Sequence, residues 1–149
     1  MPTDVRVEAK IEAPRSSVGN YMFDWRNDPV WIGGIKEAHL VTAEPFGVGS
    51  QVERVAKFLG KRVEYVNEVV ELEPDARLVM RSVKSPFPMV VTYELVDADG
   101  ATKAGIRVQG EPSGFYRLAG PLVSPGVRRA VSGDLRRLKR ILESGATRH

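Results

Sequence analysis

The sequence contains no cysteine, and only two of its 149 residues are histidine, His39 and His149. Without cysteine the chain can form neither a disulfide framework nor a thiolate nucleophile. With so few histidines and no thiolate ligands, we expect no bound metal ion, and we expect no other cofactor. A reducing, cytoplasmic location is the default expectation for a chain without cysteine, and the first residues do not resemble a signal peptide.

Long apolar runs and a strong charge imbalance are also missing. No stretch approaches the roughly 18 apolar residues of a membrane-spanning helix, so we expect no transmembrane segment. The 22 basic and 19 acidic residues leave a net charge of +3, which is too small to predict a nucleic-acid partner. Because 42% of the residues are hydrophobic, we expect a folded chain with one domain over residues 1–149.

Most of the chain alternates apolar and polar side chains with the two-residue period of half-buried β-strands. The first strand covers Val5–Ile11, and Pro14 then favours a helix from about 14 to 23, followed by a second short helical turn within 24–35. Six further strands are predicted at about 36–43, 50–58, 62–72, 77–83, 89–98 and 102–111. Because the turns between them are short, these strands must pair antiparallel.

The turns also predict which residues face each other across neighbouring strands. A hairpin centred on Asp99-Gly100 places Tyr93 opposite Ile106. Four-residue turns at 73–76 and 59–62 then place a polar row on the same inner face: Arg54, Asn67 and Ser82. The outer face has predicted pairs of Lys57 with Glu64, Glu68 with Arg81 and Thr92 with Arg107, and it also carries Val66, Val70 and Val79. We expect a contact, such as a partner chain, to cover these valines.

Residues 126–144 show the period of a long amphipathic helix. Its apolar arc contains Val127, Ala130, Val131, Leu135, Leu138, Ile141 and Leu142. The basic residues lie mostly on the other arc, which we interpret as a solvated face. Pro121 and Pro125 predict a kink or break near 120–126. Asp134 lies within the apolar arc and therefore needs a partner, because an isolated buried carboxylate is costly.

Several short motifs follow one another in a characteristic order along the whole chain. They are the Val5–Pro14 strand, the Asp24…Asp28-Pro29…Trp31…Gly34-Ile35 segment, Gly47-Val48-Gly49, Glu71-Leu72-Glu73-Pro74, Asp99-Gly100…Thr102 and the Asp134…Glu143 helix. With this order the chain resembles the SRPBCC (START/birch-pollen-allergen-like) superfamily, in its polyketide cyclase/dehydrase-type branch. The resemblance implies an α+β helix-grip fold, in which a seven-stranded curved antiparallel sheet wraps around a long C-terminal helix, with two short helices after the first strand.

The resemblance further implies a deep, largely apolar cavity between the sheet and the long helix, which takes lipids, polyketides, sterols or similar ligands. Combined with the predicted inner face, it gives a set of candidate ligand-binding residues. These are Trp31, Arg54, Phe58, Tyr65, Asn67, Met80, Ser82, Phe87, Val91, Tyr93, Ile106, Phe115, Leu118, Val131 and Asp134. The aromatic side chains among them could contact the ligand or simply seal the end of the barrel.

The polar members of this set allow two interpretations. In the functional one, Arg54 binds a ligand carboxylate or enolate, the tyrosines donate hydrogen bonds to carbonyls, and Asp134 lies beside Arg54 and holds its guanidinium in place. In the structural one, Arg54 belongs to an internal ion pair or extends to the cavity mouth. No dinucleotide, phosphate-loop or catalytic-triad motif accompanies them, and His39 is expected to be a strand residue with a local partner.

Three classes of function therefore remain open. The first is a carrier or sensor of a hydrophobic small molecule, which needs only the cavity. The second is a polyketide cyclase, aromatase or dehydratase that uses the Tyr, Arg and Asp groups of the pocket, for which no catalytic residue can be assigned. The third is a regulatory protein-interaction module. We expect a monomer or a weak homodimer.

Overall fold

A computed structural model describes residues 3–58, 60–84, 88–110 and 120–144. These residues form seven strands, three α-helices and one 3₁₀ turn. In chain order they are β1 (Thr3–Ile11), α1 (Arg15–Met22), the 3₁₀ turn (Trp25–Asn27), α2 (Asp28–Trp31), β2 (Ile35–Leu40), β3 (Gln51–Phe58), β4 (Lys61–Glu73), β5 (Arg77–Lys84), β6 (Met89–Ala98), β7 (Ala101–Gly110) and α3 (Gly120–Glu143).

The seven strands form one antiparallel sheet in the order β1-β7-β6-β5-β4-β3-β2. The curved sheet is a half-barrel, and α3 packs against it near β1 while also touching α2. The main core lies between the inner face of the sheet, α1 and α3, where Val18, Leu78 and Leu138 are almost fully buried. The α+β helix-grip fold predicted from the sequence is therefore confirmed. No helix in the described ranges is both long enough and apolar enough to cross a membrane.

The hairpin between β6 and β7 forms where the sequence predicts it. Asp99 and Gly100 both have positive φ angles, 53° and 86°, as a two-residue hairpin turn requires. Ala98 pairs with Ala101, and further along the strands Tyr93 lies opposite Ile106. The predicted alternation therefore fixes the inner face on both strands, since opposed residues share a face.

The pairing of β3 with β4 differs from the prediction by two residues. Phe58 pairs with Lys61, so the loop contains two residues rather than four, and Gly60 has a φ of 79°. As a result Arg54 lies opposite Tyr65, whereas the prediction placed it opposite Asn67. A shift of two residues leaves every side chain on its predicted face, because the strand period is also two.

The same shift changes the predicted contacts on the outer face. Lys57 lies opposite Arg62 rather than Glu64, while the pairs Glu68–Arg81 and Thr92–Arg107 are confirmed. Val79 is 8% exposed and Val70 is 39% exposed. The chain itself therefore buries Val79 and needs no partner there, whereas a contact that covers Val70 stays a prediction.

Helix α3 begins earlier than predicted. It is helical without a break from Gly120 to Glu143 and includes Pro125, so of the predicted kink or break near 120–126 the break is absent from this part of the described chain, and the kink stays a prediction. Leu135, Leu138 and Leu142 are at most 2% exposed, which confirms the predicted apolar arc. The arc directs α3 onto the inner face of the sheet and leaves a space beside it.

Candidate functional site

A cavity of about 200 Å³ lies between the inner face of the sheet and the first half of α3. Strands β3, β4, β6 and β7 form one wall, the segment from Trp31 to Ile35 forms one side, and α3 forms the other wall. Its apolar lining includes Ile35, Ala56, Val63, Met89, Val91, Ile106, Val108, Val127, Ala130 and Val131. Polar atoms enter the cavity at only a few points, as in binding sites for apolar small molecules.

The structure brings eight of the candidate residues from the sequence to this cavity. They are Trp31, Arg54, Tyr65, Val91, Tyr93, Ile106, Val131 and Asp134. Phe87, Phe115 and Leu118 lie outside the described residues, and only the backbone of Phe58 is described.

Three candidates face the interior without lining the cavity. Met80 is 3% exposed and belongs to the packed core. Ser82 accepts a hydrogen bond from the backbone N–H of Met89 at 2.8 Å through its hydroxyl oxygen. Asn67 is 1% exposed, and neither polar atom of its side chain has a partner among the described residues. Facing the interior is thus not enough, because part of that face is filled by neighbouring side chains.

Several lining residues were missed from the sequence although a signal for them existed. Ala56 and Val63 line the cavity and lie opposite each other on β3 and β4. They continue the alternation that contains Arg54 and Tyr65, so extending it by two residues would have found them. Val127 and Ala130 belong to the predicted apolar arc of the helix, of which only Val131 was included.

Arg54 forms a buried ion pair with Asp28, a residue that the sequence analysis did not select. Nε of Arg54 donates to Oδ2 of Asp28 at 2.9 Å, and Nη2 lies 2.8 Å from the same oxygen in an ion pair. The two side chains are only 5% and 3% exposed. Asp134 lines the same cavity as Arg54, but no hydrogen bond or ion pair joins the two among the described residues. Asp28, the first residue of α2, pairs with the guanidinium instead, because α2 packs against β2, the neighbour of β3.

Burial and charge act in opposite directions on this pair. Burial lowers the pKa of Arg54, but the Asp28 carboxylate together with Tyr93 and Tyr65 outweighs it, so that the pKa lies well above its ordinary value. Burial also raises the pKa of Asp28, and the Arg54 cation partly offsets that effect. The guanidinium is thus a permanent cation whose charge is balanced within the protein.

Tyr93 extends the buried pair towards the cavity. Its hydroxyl oxygen accepts a hydrogen bond from Nη2 of Arg54 at 3.4 Å. Burial raises the pKa of Tyr93 to about 12, although the Arg54 cation opposes the shift. The phenol ring packs edge-on against Trp31, with ring centroids 5.7 Å apart. Tyr93 is therefore a neutral phenol held in a fixed position.

Asp134 lies on the helical wall and has its own set of partners. Its Oδ1 accepts hydrogen bonds from the backbone N–H of Gly33 at 2.9 Å and from Nη1 of Arg137 at 3.3 Å. Nη1 of Arg137 also donates to the carbonyl oxygen of Trp31 at 2.8 Å. Burial raises the pKa of Asp134, while the Gly33 N–H and Arg137 oppose that shift. These bonds join α3 to the loop that follows α2.

The indole of Trp31 completes the polar groups near the cavity. Its side chain is fully buried and lines the cavity. The Nε1–H group has no hydrogen-bond acceptor among the described residues. A buried donor without an acceptor is costly.

Other candidate groups lie away from the cavity. Nε2 of His39 lies 3.1 Å from Oε1 of Glu37 on the exposed part of β2, as expected for a strand residue with a local partner. A second hollow near Trp25 is lined partly by Asp24 and Phe46. Within the described ranges no cluster of three or more His, Asp and Glu residues could hold a metal ion.

Comparison with known proteins places this geometry in a family. A family model described as "Polyketide cyclase / dehydrase and lipid transport" matches residues 2–143. No curated protein matches the chain.

Three similar solved structures have nearly the same length as this chain. The protein TTHA0849 from Thermus thermophilus has a TM-score of 0.83 at 21% identity, with 96% of this chain and 99% of that chain covered. The Zhui aromatase/cyclase from Streptomyces sp. R1128 has a TM-score of 0.82 at 14% identity, with 98% and 96% covered. A START superfamily protein from Mycobacterium smegmatis has a TM-score of 0.82 at 14% identity, with 95% and 97% covered. At these identities the likeness shows the fold alone.

Proposed function

Since this chain belongs to the polyketide cyclase / dehydrase and lipid transport family, we propose that it binds a hydrophobic small molecule of lipid, polyketide or sterol type as a carrier or sensor. The observation that carries the proposal is the cavity of about 200 Å³ between the sheet and α3, with its largely apolar lining. Ligand sites of this kind combine apolar walls with a few polar groups that fix orientation.

The size of the cavity supports a compact ligand or the ring system of a larger one. An engineered cavity of about 150 Å³ binds benzene, so a somewhat larger cavity suits a molecule of one or two rings. Burial of the ligand's apolar surface contributes about 25 cal/mol per Å². The expected driving force is thus hydrophobic, and the polar groups supply orientation.

Native mass spectrometry tests the proposal with protein purified from its own host. We expect a retained, noncovalently bound small molecule that organic solvent extracts. Filling the cavity should prevent its retention, and Val63→Phe does so because Val63 lines the cavity and is 6% exposed. Val96→Phe is the matched control, since Val96 is 52% exposed. Equal retention by the two variants would contradict the proposal.

A second candidate function is a polyketide cyclase, aromatase or dehydratase. The observation that favours it is the presence of Asp134, with its raised pKa, and of the neutral phenol of Tyr93 in one cavity. Groups of this kind can transfer protons to and from a bound substrate. The solved aromatase/cyclase with the same fold adds to this candidate.

Turnover of a poly-β-keto thioester separates the two candidates. The enzyme predicts product formation that Tyr65→Phe or Tyr93→Phe abolishes, while Tyr21→Phe, outside the cavity residues, retains it. Binding of the thioester without turnover would leave the carrier or sensor role. A regulatory role through the basic face of the helix or the outer valines stays a prediction.

A further inference from the structure

We propose that the cavity selects neutral ligands that carry a hydrogen-bond acceptor, such as an aromatic ketone or ester, and discriminates against carboxylates. Asp28 determines this specificity by neutralising Arg54. The inference rests on the proposed binding function and goes further, because it defines the chemical class of the ligand.

The first step concerns the cation in the cavity. Arg54 lines the cavity and by itself would attract an anion. Its Nε already donates to Asp28 at 2.9 Å and its Nη2 lies 2.8 Å from the same carboxylate oxygen, in an environment that excludes water almost completely. A ligand carboxylate would add a second negative charge to a balanced pair, and the cost of removing that carboxylate from water would not be recovered.

The second step concerns the donors. The oxygen of Tyr93 accepts from Arg54, so its own proton must be donated in another direction, and no acceptor for it is found among the described residues. Trp31 brings a second donor, its unpartnered indole N–H, on a ring 5.7 Å from that of Tyr93. Both side chains line the cavity and are nearly or fully buried. The O–H of Tyr93 is therefore the donor that a ligand carbonyl oxygen can accept from at this wall of the cavity, with the indole of Trp31 packed beside it.

The third step concerns the remaining charges around the cavity. Asp134 faces the cavity from α3, and its carboxylate repels an anion there. Arg137 is engaged with Oδ1 of Asp134 and with the carbonyl oxygen of Trp31. Lys57 also lines the cavity, but this residue is exposed, so solvent screens its charge. The interior therefore offers hydrogen-bond donors without an unbalanced positive charge.

Three probes of nearly the same shape test the inference by isothermal titration calorimetry at pH 7.5. They are 2-acetylnaphthalene, a neutral acceptor; 2-ethylnaphthalene, neutral without an acceptor; and 2-naphthoate, an anion. We expect the ketone to bind roughly threefold to tenfold more tightly than the hydrocarbon. We expect the affinity of the carboxylate to be lower than that of the hydrocarbon by about tenfold or more.

Two variants connect the ranking to the residues. Tyr93→Phe keeps the ion pair and removes one donor, so the advantage of the ketone over the hydrocarbon should fall by roughly threefold; Tyr21→Phe should leave it unchanged. Asp28→Asn leaves Arg54 without its counter-charge and should improve binding of 2-naphthoate by about tenfold or more. If Asp28→Asn does not fold, the order of the three affinities in the wild-type protein and the effect of Tyr93→Phe still test the inference.

The possible results distinguish the inference from the function on which it rests. If 2-naphthoate binds the wild-type protein as tightly as the ketone, the inference is overturned while the binding function stands. The same holds if Tyr93→Phe leaves the ketone's advantage unchanged. If none of the three probes binds, the binding function fails and the inference fails with it.

Discussion

Two carboxylate–arginine pairs lie on different walls of the cavity, Asp28–Arg54 on the side of the sheet and Asp134–Arg137 on α3. In the first pair both side chains are at most 5% exposed, whereas in the second the side chains are 13% and 40% exposed. The chemical groups are the same, but water reaches only the second pair. Burial therefore decides that Asp28–Arg54 is a fixed neutral unit, while Asp134 stays sensitive to pH.

The difference in burial also determines how far each arginine depends on protein partners for its hydrogen bonds. Arg54 lies among strands and depends on Asp28 and Tyr93 for its hydrogen bonds. Arg137 is partly solvated and bridges Asp134 and the Trp31 carbonyl oxygen. Loss of one partner thus leaves a fully buried charge in the first pair and a partly solvated group in the second.

The largest effect is expected when the buried pair is broken. Arg54→Met leaves the Asp28 carboxylate buried without its cation and should lower the free energy of unfolding by about 3–5 kcal/mol, measured by urea denaturation. The double variant Asp28→Leu/Arg54→Met removes both charges and should recover most of that loss. If the double variant is no more stable than Arg54→Met, the pair does not act as a balanced unit.

An intermediate effect is expected in the titration of Tyr93. Ultraviolet difference spectra should show one tyrosine with a pKa of about 12, absent from Tyr93→Phe. Because the folded state raises this pKa above the ordinary value of 10.0, the stabilisation is complete below pH 10 and is lost as the pH rises through 12. Titration of all tyrosines near pH 10 would show that water reaches the buried pair.

The smallest effect is expected at the exposed pair. Burial raises the pKa of Asp134 above its ordinary value of 3.8, so ionisation of this carboxyl group opposes folding. The protonated group stabilises the fold below pH 3.8, and this stabilisation is lost as the pH rises through the raised pKa. Asp134→Asn should therefore become more stable relative to the wild type between pH 4 and pH 7, by less than the change in Arg54→Met because solvent screens the site. A constant difference over this range would contradict the assignment.

Much of the fold could be predicted because its signals are local. Alternation along the strands and the Asp99-Gly100 turn give the sheet and its faces. The loop between β3 and β4 was predicted two residues too long, yet Arg54 stays on the inner face because the error equals the strand period. The sequence did not predict the start of α3 at Gly120, because Pro121 and Pro125 favour a break and no local pattern indicates that the helix continues through them.

The candidate site could be predicted only in part. Tyr93 and Val91 face inward and line the cavity, while Met80, opposite Val91 on the neighbouring strand, is covered by the core. Val91 and Met80 both lie at inward-facing positions of an alternating strand, so the sequence pattern does not distinguish them. Which of them meets empty space depends on where α1 and α3 lie over the sheet.

The amino-acid pattern by itself determined the two faces of the sheet, the antiparallel pairing and the apolar arc of the final helix, since each depends on neighbours a few positions apart. Only the tertiary structure decided that Arg54 pairs with Asp28, a residue 26 positions away, and that Asp134 instead accepts a hydrogen bond from Gly33. A charge within an apolar pattern must find a partner, but its identity depends on how separate segments meet in space.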